Sequence, residues 1–216
     1  MNKFTILGER CSGTNFLEHA ILNNFELEIT WKYGWKHFFG FSDYTDSENV
    51  LFISIVRDPE QWLSSFYKQK FHLNIEMRKN WTNFLTSSCW SYDDEFGSGS
   101  EIMEDRNIQT KERYKNIFEM RKIKALFMLD ELPKKVKNSI LIRYEDLLNN
   151  YQEVLNEIQL KFSLKRKHKK IVYIDKYRGN GDKFLPKKYS IPDEYRKIYD
   201  RELDKEVEKR LGYIKL

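Results

Sequence analysis

The segment after the predicted strand Phe4–Leu7 carries residue types that can bind an anion. A helix is predicted over Asn15–Asn23, and the amides at a helix N-terminus, together with the helix dipole, favour a phosphate group. Gly13 lets the backbone approach a ligand closely, because it has no side chain. The segment lacks the lysine and the GxxxxGK[ST] spacing of an ATP- or GTP-binding loop, and by itself it also fits an ordinary capped turn. The candidate binding residues are Arg10, Cys11, Ser12, Gly13, Thr14, Asn15 and Phe16.

A second candidate anion site follows Val50–Val56, whose apolar run is typical of a strand covered on both faces. Asp58 is a typical N-cap, and Pro59 a typical first residue, of the helix that comes next. Arg57 ends the strand, and Ser65 lies about two turns into that helix. A guanidinium and a hydroxyl placed in this way can hold one phosphate, although Arg57 alone also fits a capping or salt-bridged arginine. Two such sites at neighbouring strand ends indicate a ligand that carries phosphates at both ends of a nucleoside.

Strands and helices alternate along the sequence. The predicted strands are Phe4–Leu7, Leu27–Tyr33, Val50–Val56 and Ser139–Tyr144, and the predicted helices are Asn15–Asn23, one starting at Pro59, Thr110–Leu129, Tyr151–Phe162 and a last one from Ser190–Asp193 to Leu211. This alternation predicts a parallel sheet between helical layers. We therefore expect a three-layer α/β/α fold, with residues 1–216 forming a single domain. The acidic, Gly- and Ser-interrupted segment Asp93–Asp105 predicts an exposed loop that could serve as a lid.

The composition excludes several classes of protein. With 15% aromatic residues but only 9 Gly and 4 Pro among 216 residues, the chain is not collagen-like, low-complexity or disordered. Its longest apolar run, Val50–Val56, is too short to span a membrane, and the first residues lack a secretory pattern, so we expect a cytoplasmic protein. Cys11 and Cys89 are too few for a disulfide framework or a zinc site, so we expect both to be reduced.

Positive charge is concentrated in one segment. Lys161–Lys188 holds eleven Lys or Arg and two Asp, a local charge of +9 in a chain whose net charge is +5. Such a segment indicates a polyanionic partner, such as nucleic acid, an anionic glycan, a membrane surface or a phosphorylated nucleotide. A solvated loop and helix face is the alternative interpretation.

The two anion-binding segments together resemble the sulfotransferases that use 3′-phosphoadenosine 5′-phosphosulfate (PAPS). The resemblance lies in SGTNFL at 12–17 and VRDPEQWLSSFY at 56–67, each after a predicted strand. It implies a P-loop NTPase-like fold in which the first loop, with Ser12, Gly13 and Thr14, binds the 5′-phosphosulfate. It also implies that Arg57 and Ser65 bind the 3′-phosphate.

Three shorter segments extend the resemblance in the same order along the chain. IRYEDL at 142–147 is similar to the family's YEDL segment, which implies that Tyr144 lies near the adenine. YRGNGDK at 177–183 is similar to a late phosphate loop, which implies binding by Arg178 and Gly179. Leu211–Tyr213 is similar to the family's C-terminal ending.

The sequence departs from the family immediately before the Ser-Gly-Thr turn. Most relatives have Lys or Arg there, whereas this chain has Cys11, with Arg10 one position earlier. Either Arg10 reaches the leaving phosphate or Lys36 supplies the positive charge from the next strand. Cys11 is then inert packing or a reactive thiol, and a thiolate at neutral pH requires an adjacent cation.

The implied chemistry is transfer of a sulfuryl group to a hydroxyl, which needs an aligned acceptor, a proton acceptor and charge on the enzyme to stabilise the leaving phosphate. Basic side chains suffice for this, so no metal is expected. His37 is the candidate general base, because a general base should have a pKa near 7 and histidine is the usual choice. Lys36 is the candidate cation at the bridging oxygen. Neither the family's catalytic Glu nor its Lys-x-His pattern is reproduced around His37. His37 also fits an aromatic-packed histidine at a strand end. The other histidines, His19, His72 and His168, are ranked lower.

The acceptor is expected to be a hydroxyl-bearing glycan or small molecule. The loops that would contact it, Phe38–Glu48 and Phe71–Asp105, contain no pattern that identifies it. Two other functions compete with sulfuryl transfer: a non-catalytic nucleotide or nucleic-acid binding module that uses Lys161–Lys188, and a kinase-like phosphotransferase. The paired phosphate segments argue against the first, and the missing loop lysine argues against the second.

Overall fold

The computed structural model describes residues 1–176 and 186–214 and contains one parallel sheet with the strand order β2-β1-β3-β4. The strands are β1 Lys3–Leu7, β2 Glu28–Ile29, β3 Val50–Val56 and β4 Ser139–Arg143. Phe4 lies opposite Ile29 on one side and Leu51 on the other. The predicted α/β class with a parallel sheet is therefore confirmed.

Helices connect the strands. They are α1 Thr14–Asn24, α2 Pro59–Lys68, α3 Ile75–Arg78, α4 Trp81–Thr86, α5 Ile117–Leu126, α6 Leu132–Lys135, α7 Tyr144–Asn149, α8 Tyr151–Phe162, α9 Arg196–Glu202 and α10 Lys205–Arg210. A π-helical stretch, Phe127–Glu131, joins α5 to α6, and a 3-10 turn, Asp193–Tyr195, precedes α9. Among the described helices, none is long and apolar enough to cross a membrane.

Both faces of β3 are buried: all seven of its residues are buried, and successive strand residues point to opposite sides of the sheet. In β3, Leu51, Ile53 and Ile55 pack in a cluster with α1, α7 and α8, whereas Phe52 and Val56 pack in a second cluster with α5, the π-helical stretch and α10. A third cluster, built around Trp62, Phe66 and Tyr114, fills the space between α2, α4 and α5. This double coverage explains why β3 is almost entirely apolar.

The helix after β3 begins where the sequence predicts. The Asp58 carboxylate accepts a hydrogen bond from the Gln61 amide at 2.9 Å, and Pro59 occupies the first turn. A side-chain cap of this kind contributes about 1 kcal/mol to helix stability. It fixes the start of α2 and therefore the position of Ser65 relative to Arg57.

Two predicted elements are much shorter than expected. The strand predicted over Leu27–Tyr33 is reduced to Glu28–Ile29, and the chain then turns, with the Gly34 amide donating to the Trp31 carbonyl. The helix predicted from Thr110 begins only at Ile117, because the Asn116 side chain accepts from the Phe118 and Glu119 amides and caps it there.

Two further predictions are wrong in detail. The last helix is interrupted between α9 and α10, where the Asp204 side chain accepts from the Val207 amide and starts a new helix. Gly212 follows with a φ of 79°, a conformation that suits glycine and terminates the helix. The predicted exposed segment 93–105 ends in a buried residue, since Asp105 is 1% exposed.

Candidate functional site

A cleft of about 870 Å³ opens where β1, β3 and β4 end, at the carboxyl edge of the sheet. In open parallel sheets, ligands bind at this edge. The cleft is lined by ten of the predicted site residues: Arg10, Cys11, Gly13, Thr14, Asn15, Phe16, His37, Arg57, Ser65 and Tyr144. Ser12 and Lys36 are not among its lining residues, and the predicted Arg178 and Gly179 lie outside the described residues.

The loop between β1 and α1 turns through two left-handed residues, Cys11 with a φ of 66° and Gly13 with a φ of 97°. A Cβ atom on Gly13 would lie 2.3 Å from Cδ2 of Tyr144, so only glycine fits here. The Ser12 hydroxyl donates to the Glu9 carbonyl at 2.5 Å. Ser12 therefore closes the turn, and its hydroxyl is used within the loop.

The N-terminus of α1 faces the cleft with Thr14, Asn15 and Phe16 among the lining residues. Amides in the first turn of a helix have no partner within the helix, and here no acidic side chain lies in that turn. The Leu17 amide bonds the Gly13 carbonyl, which sets the first turn directly on the glycine. This end of α1 can accept an anion, because the amides and the helix dipole both favour negative charge.

Arg57 joins the two predicted anion segments. Its Nη1 atom donates to the Cys11 carbonyl at 3.1 Å, and its guanidinium lies 4.8 Å from the centre of the Tyr144 ring. The buried Nε atom of Arg57 has no hydrogen-bond partner among the described residues. Ser65 is 7% exposed and lines the same cleft. Arg57 and Ser65 can therefore contact one ligand together with the loop that contains Gly13.

The Cys11 thiol is partly buried beside these groups. Burial raises its pKa to about 11, although a hydrogen bond with Ser65 and the charge of Arg57 act in the opposite direction. The thiol is therefore protonated at neutral pH. This argues for the inert alternative and against a reactive thiolate.

His37 lies on the cleft wall, with Nδ1 at 2.7 Å from the Gly8 carbonyl oxygen. A carbonyl can only accept, so in the neutral ring Nδ1 carries the hydrogen and Nε2 is the acceptor. Burial, followed by the positive charge of Arg10, lowers the pKa of His37 to about 3. The free protein thus holds a neutral imidazole, with a pKa well below the value near 7 that suits a general base.

Lys36 is held against α1. Its ammonium group donates to Asn15 Oδ1 at 2.6 Å and lies 3.1 Å from the Glu18 carboxylate. The residue is 8% exposed, so Lys36 is a buried lysine. Lys36 therefore orients Asn15, which does line the cleft.

A buried charged network behind the cleft was not predicted from the sequence. Lys124, 1% exposed, lies 2.6 Å from Glu9 Oε1 and 3.1 Å from Asp105 Oδ1, and it donates to the His37 carbonyl at 2.9 Å. Burial favours neutral Asp105, but the charges of Lys124 and Arg10 outweigh it and lower the pKa of that carboxyl. For Glu9, burial prevails over Lys124 and raises the pKa. Lys124 thus ties α5 to the loop after β1 and to the backbone of His37.

Replacing Lys124 by methionine is expected to lower the free energy of unfolding by about 3 to 5 kcal/mol, because two buried carboxylates lose their shared cation. Chemical denaturation at neutral pH measures this loss. Lys134→Met is the matched control, since the Lys134 side chain is 70% exposed and pairs with Glu131 at the surface. Equal, small effects of the two substitutions would contradict the structural role of Lys124.

Another part of the cleft lining is aromatic and acidic. It includes Trp35, Phe71 and His72, together with Asp93 and Glu95. His72 Nε2 lies 4.0 Å from Glu95 Oε1. His72, ranked low from its sequence position, is thus a second histidine in the cleft. No local sequence pattern marks it, because the loop fold alone brings it there.

The basic segment lies at the other end of α1. The Lys167 amide donates to the Asn24 carbonyl, and the Val172 amide donates to the Asn24 side chain at 2.6 Å. Arg166 is held by Gln159 and Asn156. Since α1 has 11 residues, this end is about 16 Å from the cleft. Residues 166–172 of the segment therefore make structural contacts away from the cleft.

Within residues 1–176 and 186–214, no group of three or more His, Cys, Asp or Glu side chains is placed to hold a metal ion. Both cysteines are free. Comparison with known proteins gave no matching family model, no matching curated protein and no matching solved structure.

Proposed function

We propose that this protein is a sulfotransferase with a three-layer, P-loop-like fold that moves a sulfuryl group from PAPS to a hydroxyl of a glycan or small molecule. One observation carries the proposal. Arg57 and Ser65 from the second segment line the same cleft as Gly13 and Thr14 from the first, more than forty positions earlier in the chain. A ligand with anionic groups at two separate positions can contact both segments at once.

In this proposal the donor is bound along the carboxyl edge of the sheet. The first turn of α1 and its preceding loop hold the 5′-phosphosulfate, because their amides favour an anion. Arg57 and Ser65 hold the 3′-phosphate, and the unpartnered Nε atom of Arg57 supports this role. The Tyr144 ring, which lies against Gly13 and Arg57, contacts the adenine.

The chemical step is an in-line displacement at sulfur. The acceptor oxygen forms the new S–O bond while the bond from sulfur to the 5′-phosphate oxygen breaks, and the acceptor proton goes to Nε2 of His37. Arg10, which lines the cleft, is the better placed of the two candidate cations for the leaving phosphate, since Lys36 is paired with Asn15 and Glu18. A bound anionic donor also raises the pKa of His37, because negative charge stabilises the imidazolium.

Thermal unfolding with 3′-phosphoadenosine 5′-phosphate (PAP) tests the donor site. At about 100 times its dissociation constant, PAP is expected to stabilise the protein by about 2.7 kcal/mol. ATP and duplex DNA are the comparison ligands. Stabilisation by ATP alone would indicate a kinase-like phosphotransferase, and by DNA alone a binding module that uses Lys161–Lys188. Either result would reject the sulfotransferase proposal. Transfer of labelled sulfate from PAPS to pooled acceptors then tests catalysis.

A further inference from the structure

Part of the cleft wall is formed by one loop, residues 91–102, which folds back on itself. The Ile102 amide donates to the Ser91 carbonyl at 2.9 Å, and the Asp93 amide donates to the Ser100 carbonyl at 3.0 Å. Asp93, Glu95 and Ile102 of this loop line the cleft. The 91–102 loop therefore forms part of the cleft wall.

The base of the 91–102 loop holds Arg10, a residue of the loop after β1. Arg10 Nη1 donates to the Ser91 hydroxyl at 2.7 Å, and this hydroxyl donates to Asp105 Oδ2 at 2.5 Å. Arg10 Nη1 also lies 3.7 Å from Asp105 Oδ2. Ser91 is fully buried, so these bonds form without competition from bulk water.

Two further contacts restrict the same guanidinium. The Arg10 guanidinium lies 4.9 Å from the centre of the Phe38 ring, and its side chain is only 13% exposed. Asp105 is itself fixed by the buried ammonium of Lys124. The Arg10 side chain is therefore already ordered in the folded protein. It loses little further conformational entropy when it binds an anion.

We propose that Ser91 and Asp105 are positioning residues, which hold the Arg10 guanidinium in the cleft and thereby couple the 91–102 loop to anion binding by the loop after β1. Arg10 is the shared element, because it lines the cleft and contacts the base of the 91–102 loop. The coupling is reciprocal: an anion that engages Arg10 stabilises the 91–102 loop, and an ordered loop strengthens the binding of the anion. The choice of anion rests on the proposed donor site.

A double-mutant cycle on PAP affinity tests the coupling. Ser91→Ala is expected to raise the dissociation constant of PAP about tenfold in the otherwise wild-type protein, and by less than twofold in the Arg10→Ala background. Ser98→Ala is the matched control. Ser98 lies in the same loop, and its hydroxyl donates to Asp94, so this change should leave PAP affinity unchanged in both backgrounds.

Amide hydrogen exchange distinguishes coupling from a purely structural role of Ser91, because a structural role would not change the effect of PAP on exchange in the loop. PAP is expected to slow amide exchange across residues 91–102 in the wild type and in Ser98→Ala, but not in Ser91→Ala or Arg10→Ala. If Ser91→Ala folds poorly, Ser91→Cys, which keeps the size of the side chain, replaces it with the same expected outcome.

The inference is overturned if Ser91→Ala weakens PAP binding equally in both backgrounds, if it has no effect, or if PAP leaves exchange in the loop unchanged in the wild type. Failure of the proposed function looks different, since PAP would then not bind the wild type at all. In that case the same cycle is measured with inorganic pyrophosphate, and absence of binding by both anions would reject the two proposals together.

Discussion

Arg57→Ala is expected to raise the dissociation constant of PAP about 30- to 140-fold, which corresponds to roughly 2 to 3 kcal/mol for a charge-assisted hydrogen bond lost at a buried site. The substitution removes the partner proposed for the 3′-phosphate. It also removes the bond to the Cys11 carbonyl, which supports the loop after β1. Isothermal titration calorimetry with PAP measures the change.

Adenosine 5′-phosphate separates these two effects, because it lacks the 3′-phosphate. The wild type should bind PAP more tightly than this ligand, and Arg57→Ala should bind the two almost equally. Arg201→Ala is the control for loss of an arginine, since its side chain is 66% exposed and pairs with Glu202 outside the cleft. An equal loss of affinity for both ligands would show that Arg57 acts by supporting the loop and not by binding the 3′-phosphate.

His37→Ala is expected to lower turnover about 100-fold or more and to leave PAP affinity within about twofold, because a general base acts on the acceptor and not on the donor. Steady-state kinetics of sulfate transfer, combined with titration of PAP, separates the two quantities. His168→Ala is the control, since His168 lies in the basic segment away from the cleft. The rival base is His72: loss of activity in His72→Ala with full activity in His37→Ala would reassign the role.

The pH dependence provides a second check on His37. Its pKa is lowered to about 3 in the free protein, so the neutral form is present above that value and is lost only as the pH falls towards it. A bound donor adds negative charge and raises this pKa. The acidic limb of the pH profile of kcat reports the enzyme with its donor bound, and that of kcat/KM for PAPS reports the free enzyme. The limb of kcat should therefore lie at the higher pH. Identical limbs, or the reverse order, would contradict His37 as the base.

The sequence alone was sufficient for the elements whose signals are local. The apolar run Val50–Val56 is a buried strand, and Asp58 with Pro59 starts α2 as predicted, because both signals depend on neighbours within a few residues. Once the sheet is parallel, the ends of β1, β3 and β4 lie at one edge. This is why Gly13 and Arg57, far apart in the chain, could be expected near one another before their positions were known, whereas Tyr144 was expected there from the family resemblance.

Element lengths were less predictable, because they depend on competing local bonds. The aromatic run after β2 has strand character, yet it turns at Trp31–Gly34 instead of extending the sheet. A helix is predicted from Thr110 onward, but the Asn116 side chain caps the helix so that it begins at Ile117. In both cases the periodicity was correct for part of the segment and the boundary was set by hydrogen bonds that the periodicity does not encode.

By itself, the sequence determined the parallel α/β class and the grouping of the two anion-binding segments, since strand patterns and helix caps are read from adjacent residues. Only the tertiary structure decided the use of the individual side chains: Lys36 holds Asn15, Ser12 closes its own turn, and Lys124 lies buried between Glu9 and Asp105. Arg10 meets Ser91 across 81 positions and Lys124 meets the His37 carbonyl across 87. Burial and partners at such separations are created by the packing of distant segments, so no local pattern in the chain can specify them.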